Sequence, residues 1–233
     1  MQAGDRFWTK ANIRDVCSAL YRAYLSPTKA KKTYSQCGED AILMYLFKGL
    51  AGPGFYVDVG CHHPRRGSNT YAFYKKGWRG VLVDMEPAKT LACKLSRPRD
   101  TVVQAALSDS CREVDLYSPT NFSVLATINP VSVKPNFVLR AKLITRTLND
   151  VLIEVKAPPV FELLSVDAEG EDLSILAGLD FSSFRPKIIA TEVQLPPEFC
   201  GDFSDNKTYQ FLVANNYRLI GWVGSTLIFG VKK

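Results

Sequence analysis

The stretch from Val57 to Thr70, VDVGCHHPRRGSNT, gathers residue types that bind ligands and move protons. An apolar run breaks at Gly60, with Asp58 just before it and the pair His62-His63 just after. Histidine titrates near neutrality, so it can serve as a general base, and it also ligates metals. Further acids fall at the ends of later apolar runs: Asp84 and Glu86 after GVLV, Asp109 behind Ser108 after TVVQAAL, Asp167, Glu169 and Glu171 after FELLSV, and Glu192 after PKIIAT. Carboxylates are costly to bury without partners. A row of them at run ends therefore marks either a solvated edge or a binding site.

Those runs must be strands if the acids are to meet. FYVDVG (55–60), GVLVDM (80–85), TVVQAALS (101–108), FELLSVD (161–167) and PKIIATEV (186–193) are short, apolar and bounded by turn residues, as buried strands are. Helical patterns alternate with them: SNTYAFYKKG (68–77), AKTLACKLSR (88–97), EDLSILAGL (171–179) and NKTYQFLVANN (206–216). Such alternation implies βαβ units and a parallel sheet. The chain ends differently. YRLIGWV (217–223) and TLIFGVK (226–232) are separated only by Gly224-Ser225, which predicts an antiparallel hairpin. Upstream, residues 9–25 and 38–50 have the apolar spacing of amphipathic helices, joined through the polar linker SPTKAKKT (26–33). EVDLYS and AKLITRT predict two short strands around the irregular stretch PTNFSVLATINPVSVKPN. The expected organisation is an N-terminal helical extension and linker over 1–33, followed by one α/β domain over 34–233.

Composition bounds the function. The chain has 233 residues, 46% hydrophobic and 22% charged, the balance of an ordinary globular protein. No apolar run approaches the ~20 residues of a membrane span. The opening MQAGDRFWTKANIRD has no apolar core of a secretory signal, so a cytoplasmic protein is expected. Six cysteines without a CxxC argue against a structural zinc site and a disulfide framework. The net charge of +6 comes with basic clusters at Lys29-Lys31-Lys32, Arg65-Arg66, Lys75-Lys76-Arg79 and Arg97-Arg99. These suit either an anionic partner or a plain solvated face. The sequence carries no RNA-binding module and no aromatic-rich basic stripe, so nucleic acid is not the expected partner.

In open α/β sheets ligands sit beyond the carboxyl ends of the strands. A dinucleotide there needs GxGxxG, whose backbone N–H groups meet the pyrophosphate. Here Gly60 stands alone, and Pro64 has no N–H to offer. S-adenosylmethionine fits better, having no phosphate but a sulfonium and an amino group. Gly60 would let the backbone approach it closely. Asp58 would bind the amino group or organise the loop, and Asp84 would accept both ribose hydroxyls. From these residues alone, another small ligand on a Rossmann-like sheet stays open.

The motifs reach further than this turn. YSQCGEDAIL (34–43), GFYVDVGCHHP (54–64), SNT (68–70), FYKKGWRGVLVDMEP (73–87), AALSD (105–109), LLSVDAEGEDLSILAGLDF (163–181), RPKIIATEV (185–193) and LIF (227–229) resemble, in order, the FkbM-type S-adenosylmethionine-dependent methyltransferases. The resemblance implies a Rossmann-like class I methyltransferase fold, a mostly parallel seven-stranded sheet with an antiparallel C-terminal hairpin. It implies O-methylation of a hydroxyl on a sugar, polysaccharide or glycosylated metabolite, with S-adenosyl-L-methionine as cofactor and a saccharide or small molecule as partner.

By the same resemblance, Asp58 and Gly60 lie at the methionine end of the cofactor, Asp84 at the ribose, and Ser108 and Asp109 near adenine. Gln36, Glu39 and Asp40 fall near the mouth, and Asn69 beside cofactor or substrate. Asp167 and Glu169 come beside the transferable methyl. An alcohol must lose its proton as it is methylated, and the candidate bases are His63, Asp167, Glu169 and Glu192. His62 is read as exposed and incidental. A divalent ion on Asp167, Glu192 and a histidine would also activate a hydroxyl, but no ligand spacing demands one and no metal is expected. Two alternatives are an RNA methyltransferase, motivated by the charge, and a non-catalytic protein that keeps the cofactor-binding fold.

Overall fold

The computed structural model describes residues 13–25, 32–120, 123, 125–194 and 201–232. Residues 9–12 of the first expected helix, most of the linker 26–33, and Cys200 lie outside them. The chain divides into two units, Met1–Lys32 and Thr33–Lys233. In the first, helix α1 (Ile13–Leu20) runs into a π-helical turn, Tyr21–Leu25, and every described side chain is exposed.

The second unit contains the strands β1 (Phe55–Val59), β2 (Arg79–Asp84), β3 (Thr101–Gln104), β4 (Ala106–Leu107), β5 (Glu113–Ser118), β6 (Val138–Arg146), β7 (Val160–Val166), β8 (Arg185–Glu192), β9 (Tyr217–Val223) and β10 (Thr226–Val231). Its helices are α2 (Glu39–Leu46), α3 (Tyr71–Lys75), α4 (Pro87–Ser96), α5 (Leu148–Glu154), α6 (Asp172–Ala177) and α7 (Lys207–Ala214). The main sheet has the order β3-β2-β1-β7-β8-β10-β9. Its first five strands are parallel, and β10 runs antiparallel to both β8 and β9. This is the expected class I arrangement, with one refinement. The last strand slots between β8 and β9, so β9 forms the edge.

Strand alternation builds three layers. Val57 and Val59 of β1, with Val81, Val83, Leu164 and Val166, face one side and pack against α5, α6 and α7 through Leu148, Ile175 and Leu212. Tyr56, Leu82, Leu163 and Ile228 face the other and meet Leu43, Phe73 and Cys93 of α2, α3 and α4. The sheet is thus covered on both faces, which is why its central strands are near-continuous apolar runs.

Two sequence expectations change. The run 101–108 is not one strand. It splits at Ala105, whose N–H donates to the carbonyl of Asp84 (3.0 Å), and the chain leaves the main sheet there. β4 then pairs with β6, which forms a hairpin with β5, so the two short strands expected around 112–147 belong to a separate three-stranded sheet. Helix α5 forms where the sequence pattern predicts no helix. Thr147 caps it by accepting the N–H of Asp150, and Leu148, Val151 and Leu152 are fully buried at helical spacing.

Arg97 also departs from its expected place on a basic surface. It is 1% exposed and lies beneath the turn after β1. Its guanidinium donates to Asp100 (2.7 Å), to the Tyr56 hydroxyl (2.8 Å) and to Thr70 (3.0 Å). Thr70 in turn donates to Asp58 at 2.5 Å. A buried cation is tolerated because each of its three nitrogens finds an oxygen, the remaining one through the Ser68 hydroxyl (3.4 Å). Arg99 stays exposed, stacked 3.9 Å over the Tyr74 ring.

Candidate active site

The carboxyl ends of β1, β2 and β7 open into a cleft whose floor is the turn at Gly60. Gly60 has φ +77°, and a Cβ there would stand 1.7 Å from the carbonyl oxygen of Asp167. The amide of Asp167 donates to Val59 (3.0 Å), so the ends of β1 and β7 are in direct contact. Glycine is therefore required first by this backbone crossing. The N–H groups of Gly60 and Cys61 both donate to the Val83 carbonyl, at 2.9 and 3.2 Å. They are not available to cradle a phosphate.

Asp84 shapes the next turn. One of its oxygens accepts the N–H of His62 (3.0 Å) and the other the N–H of Glu86 (2.9 Å). A carboxylate has about four lone-pair sites, so each oxygen keeps one for a ligand. The contact to His62 holds that residue at φ +36°, a region that non-glycine residues seldom visit. Asp58 lies across the turn, buried, and burial pushes its pKa up to about 6 against the lowering pull of Arg97.

Beyond β7 the acids crowd. Asp167 lines the cleft and is hydrogen-bonded to Glu192. Burial and the charge of Glu192 push Asp167 up to about 9, so it holds its proton at neutral pH. Asp172 is pushed up to about 7, first by burial and then by Glu192. Glu169, at φ +50°, is half-buried in the cleft wall, and burial followed by Glu192 raises its pKa. Glu192 itself lies behind the lining and accepts the Ser225 hydroxyl at 2.7 Å. Among the described residues no group of three potential ligands is placed to hold a metal ion.

These carboxyls give stability a pH slope of known sign. Carboxylates of an unfolded chain titrate near 4, whereas Asp58, Asp172 and Asp167 hold their protons up to about 6, 7 and 9. These three groups make the folded state bind more protons over that window, whereas His62 and His63, lowered chiefly by burial, oppose them below about pH 6.5, so the fall in stability is clearest as pH rises from about 6.5 towards 9. We expect the melting temperature to drop between about pH 6.5 and 9. Asp167→Asn should flatten the alkaline part, raising the melting temperature near pH 8.5 by about 2–4 °C for each kcal/mol recovered. Calorimetric melting across pH checks this, and a wild-type curve that is flat or rises with pH would refute it.

The structure brings Gln36, Asp58, Gly60, Asn69, Asp84, Asp167 and Glu169 together around the cleft. Asn69 is oriented by donating to Ser165 at 3.1 Å. Others lie elsewhere. Glu39 accepts the N–H of Cys37 (2.8 Å), and Asp40 accepts from Tyr34 and Ser35, so this buried pair folds the SQCGED turn. Ser108 and Asp109 lie outside the lining, and Ala105, Ala106 and Leu107 take the place beside β2. His63 is also outside it. Its Nδ1 accepts the N–H groups of Arg65 and Arg66, at 3.1 and 2.9 Å, and so closes its own loop. His62 is the histidine in the cleft, its Nδ1 buried without a partner. Lys89 was missed altogether. It lines the cleft, pairs with Glu86 at 2.6 Å and donates to the Ser123 carbonyl (2.9 Å). The i, i+3 spacing of Glu86 and Lys89 at a helix start was its only sequence signal.

Residues 58–219 match the family model of the methyltransferase FkbM domain. No curated protein matches at a significant level. Among solved structures the chain is similar to a TehB-like SAM-dependent methyltransferase from Corynebacterium glutamicum, with 12% identity, 94% of this chain and 96% of that one covered, and a TM-score of 0.47. It is also similar to an O-methyltransferase from Bacillus cereus solved in complex with SAH, with 12% identity, coverage of 98% and 94%, and a TM-score of 0.47.

Proposed function

Because the chain belongs to the FkbM methyltransferase family, we propose that it moves a methyl group from S-adenosylmethionine to a hydroxyl of a sugar, polysaccharide or glycosylated metabolite. The observation that carries this reading is a single cleft pairing two ligand-ready carboxylates, Asp58 and Asp84, with the half-buried acid Glu169.

The residues suit that cofactor. A buried carboxyl raised to about 6 favours a cationic partner, and Asp58 offers one to an amino group. Asp84 has lone pairs left for two ribose hydroxyls. Ala105, Ala106, Leu107 and Ile128 give an apolar wall for a purine. The turn, its N–H groups already used, suits a ligand without phosphate. Bound here, S-adenosylmethionine supplies an electrophilic methyl group on a sulfonium.

The chain's own residues handle the proton. Glu169 takes it from the acceptor hydroxyl, a service worth about 10²–10⁴-fold. Asp167 keeps its proton and donates it to Glu192 as a fixed hydrogen bond. His63 stabilises the loop rather than the reaction, since its Nδ1 is engaged by two backbone amides. An RNA substrate is disfavoured by the burial of Arg97, which takes one cation of a basic cluster off the surface.

Calorimetric titration with S-adenosylmethionine tests the first half: the wild type binds, and absence of binding would sink the enzyme reading. Glu169→Gln tests the second. We expect it to keep cofactor affinity while turnover falls about 10²–10⁴-fold, and retained turnover would remove Glu169 from the mechanism.

A further inference from the structure

A second cavity of about 240 Å³ adjoins the cleft. The two are divided by one extended segment. Ala126 and Ile128 point into the cleft, whereas Leu125 and Thr127 point into the second cavity, the alternation expected of strand-like backbone. Thr127 and Tyr117 exchange both backbone hydrogen bonds at 2.9 Å, which anchors the segment to β5. Two more contacts fasten it beside β7: the Thr127 hydroxyl donates to the Glu169 carbonyl (3.2 Å) and the Asn129 amide to the Gly170 carbonyl (2.9 Å). Among the described residues, Glu169 alone borders both spaces.

The cavity's chemistry is mixed. Leu125, Val131, Val133 and Phe137 offer apolar surface, while Ser132, Glu169 and the exposed Lys134 and Gln194 offer a hydroxyl, a carboxylate, an ammonium and an amide. Polar groups set among apolar side chains suit a ligand that is itself rich in hydroxyls on an apolar frame, because a ligand without hydroxyls would displace their water and leave them unpaired. The volume lies below the ~300–1,000 Å³ of pockets for drug-sized ligands, so it holds one ring rather than an oligosaccharide.

We propose that this cavity is the acceptor subsite, taking one hydroxylated saccharide ring and presenting a ring hydroxyl to Glu169 at the shared wall. The inference rests on the methyltransferase reading, which makes the cleft the donor side of that wall.

Saturation-transfer NMR tests it on the full chain with S-adenosylhomocysteine present. The probes are methyl glucopyranoside, methyl galactopyranoside and methyl mannopyranoside, with phenol as a hydroxyl-poor comparison. We expect saturation of ring protons in at least one glycoside with the wild type. Val131→Trp, at a position 92% exposed and on the cavity rim, should abolish it, and Phe137→Ala should weaken it several-fold. Calorimetry should show unchanged affinity of both variants for S-adenosylhomocysteine, which also confirms that they fold. Saturation of phenol alone, of no probe, or of a glycoside equally in the wild type and both variants would overturn the subsite while leaving the cofactor reading standing. Failure of the wild type to bind S-adenosylhomocysteine would overturn both.

Discussion

Gly60→Ala lowers the melting temperature by about 10 °C or more, the expected result of a destabilisation of roughly 4 kcal/mol. Two terms add. The residue sits at φ +77°, where a side chain is strained. Its new Cβ would also stand 1.7 Å from the Asp167 carbonyl oxygen and 2.8 Å from its carbon. Neither atom can swing aside as a side chain could. Asp167 is pinned through its N–H to Val59, and Gly60 through its own N–H to Val83. Relief requires β1 and β7 to part at the ends that carry Asp58 and Asp167, so the cleft is lost with the stability. Thermal melting followed by circular dichroism checks this. An alanine variant melting close to the wild type would show that the crossing is looser than these distances imply.

Asp84→Ala abolishes tight cofactor binding, with affinity for S-adenosylmethionine falling about 100-fold or more. Hydrogen bonds to a charged group contribute about 1.5–3 kcal/mol each, and the substitution removes the acceptor proposed for two ribose hydroxyls. It also strips the acceptor from the backbone amides of His62 and Glu86. The turn after β1 then has nothing to hold His62 at its positive φ, and α4 loses the anchor at its first turn. Asp84→Asn separates the two losses. It retains one acceptor oxygen, so one amide stays satisfied while the other faces an amide nitrogen, and its affinity should fall between wild type and alanine. Calorimetric titration measures all three. Affinity unaffected by the alanine substitution would remove Asp84 from the ribose assignment.

Much of the cleft was legible because it is built where strands end. Asp58, Gly60, Asp84, Asp167 and Glu169 are each the terminal or near-terminal residue of an apolar run, and parallel strands bring such ends to one edge. Less legible were residues whose position depends on what the chain does after leaving a strand. By sequence Ser108 and Asp109 close the third strand, but the chain turns away at Ala105 and carries them out of the lining. His62 and His63 are neighbours of the same type. A positive φ enforced by the Asp84 carboxylate sends the first into the cleft, while backbone amides claim the second.

The sequence by itself determined the layering, the parallel sheet with its reversed final strand, and the row of acids along one edge. These follow from local periodicity and from turn residues, which act over a few positions. Only the tertiary structure decided which acids keep their protons, that Arg97 is buried machinery rather than surface charge, and that residues 125–128 form a partition between two cavities. Those outcomes depend on groups distant in the chain, Asp167 on Glu192, Arg97 on Tyr56 and Thr70, Thr127 on Tyr117 and Glu169. Burial converts such meetings into shifted proton affinities and fixed walls, and no local pattern records them.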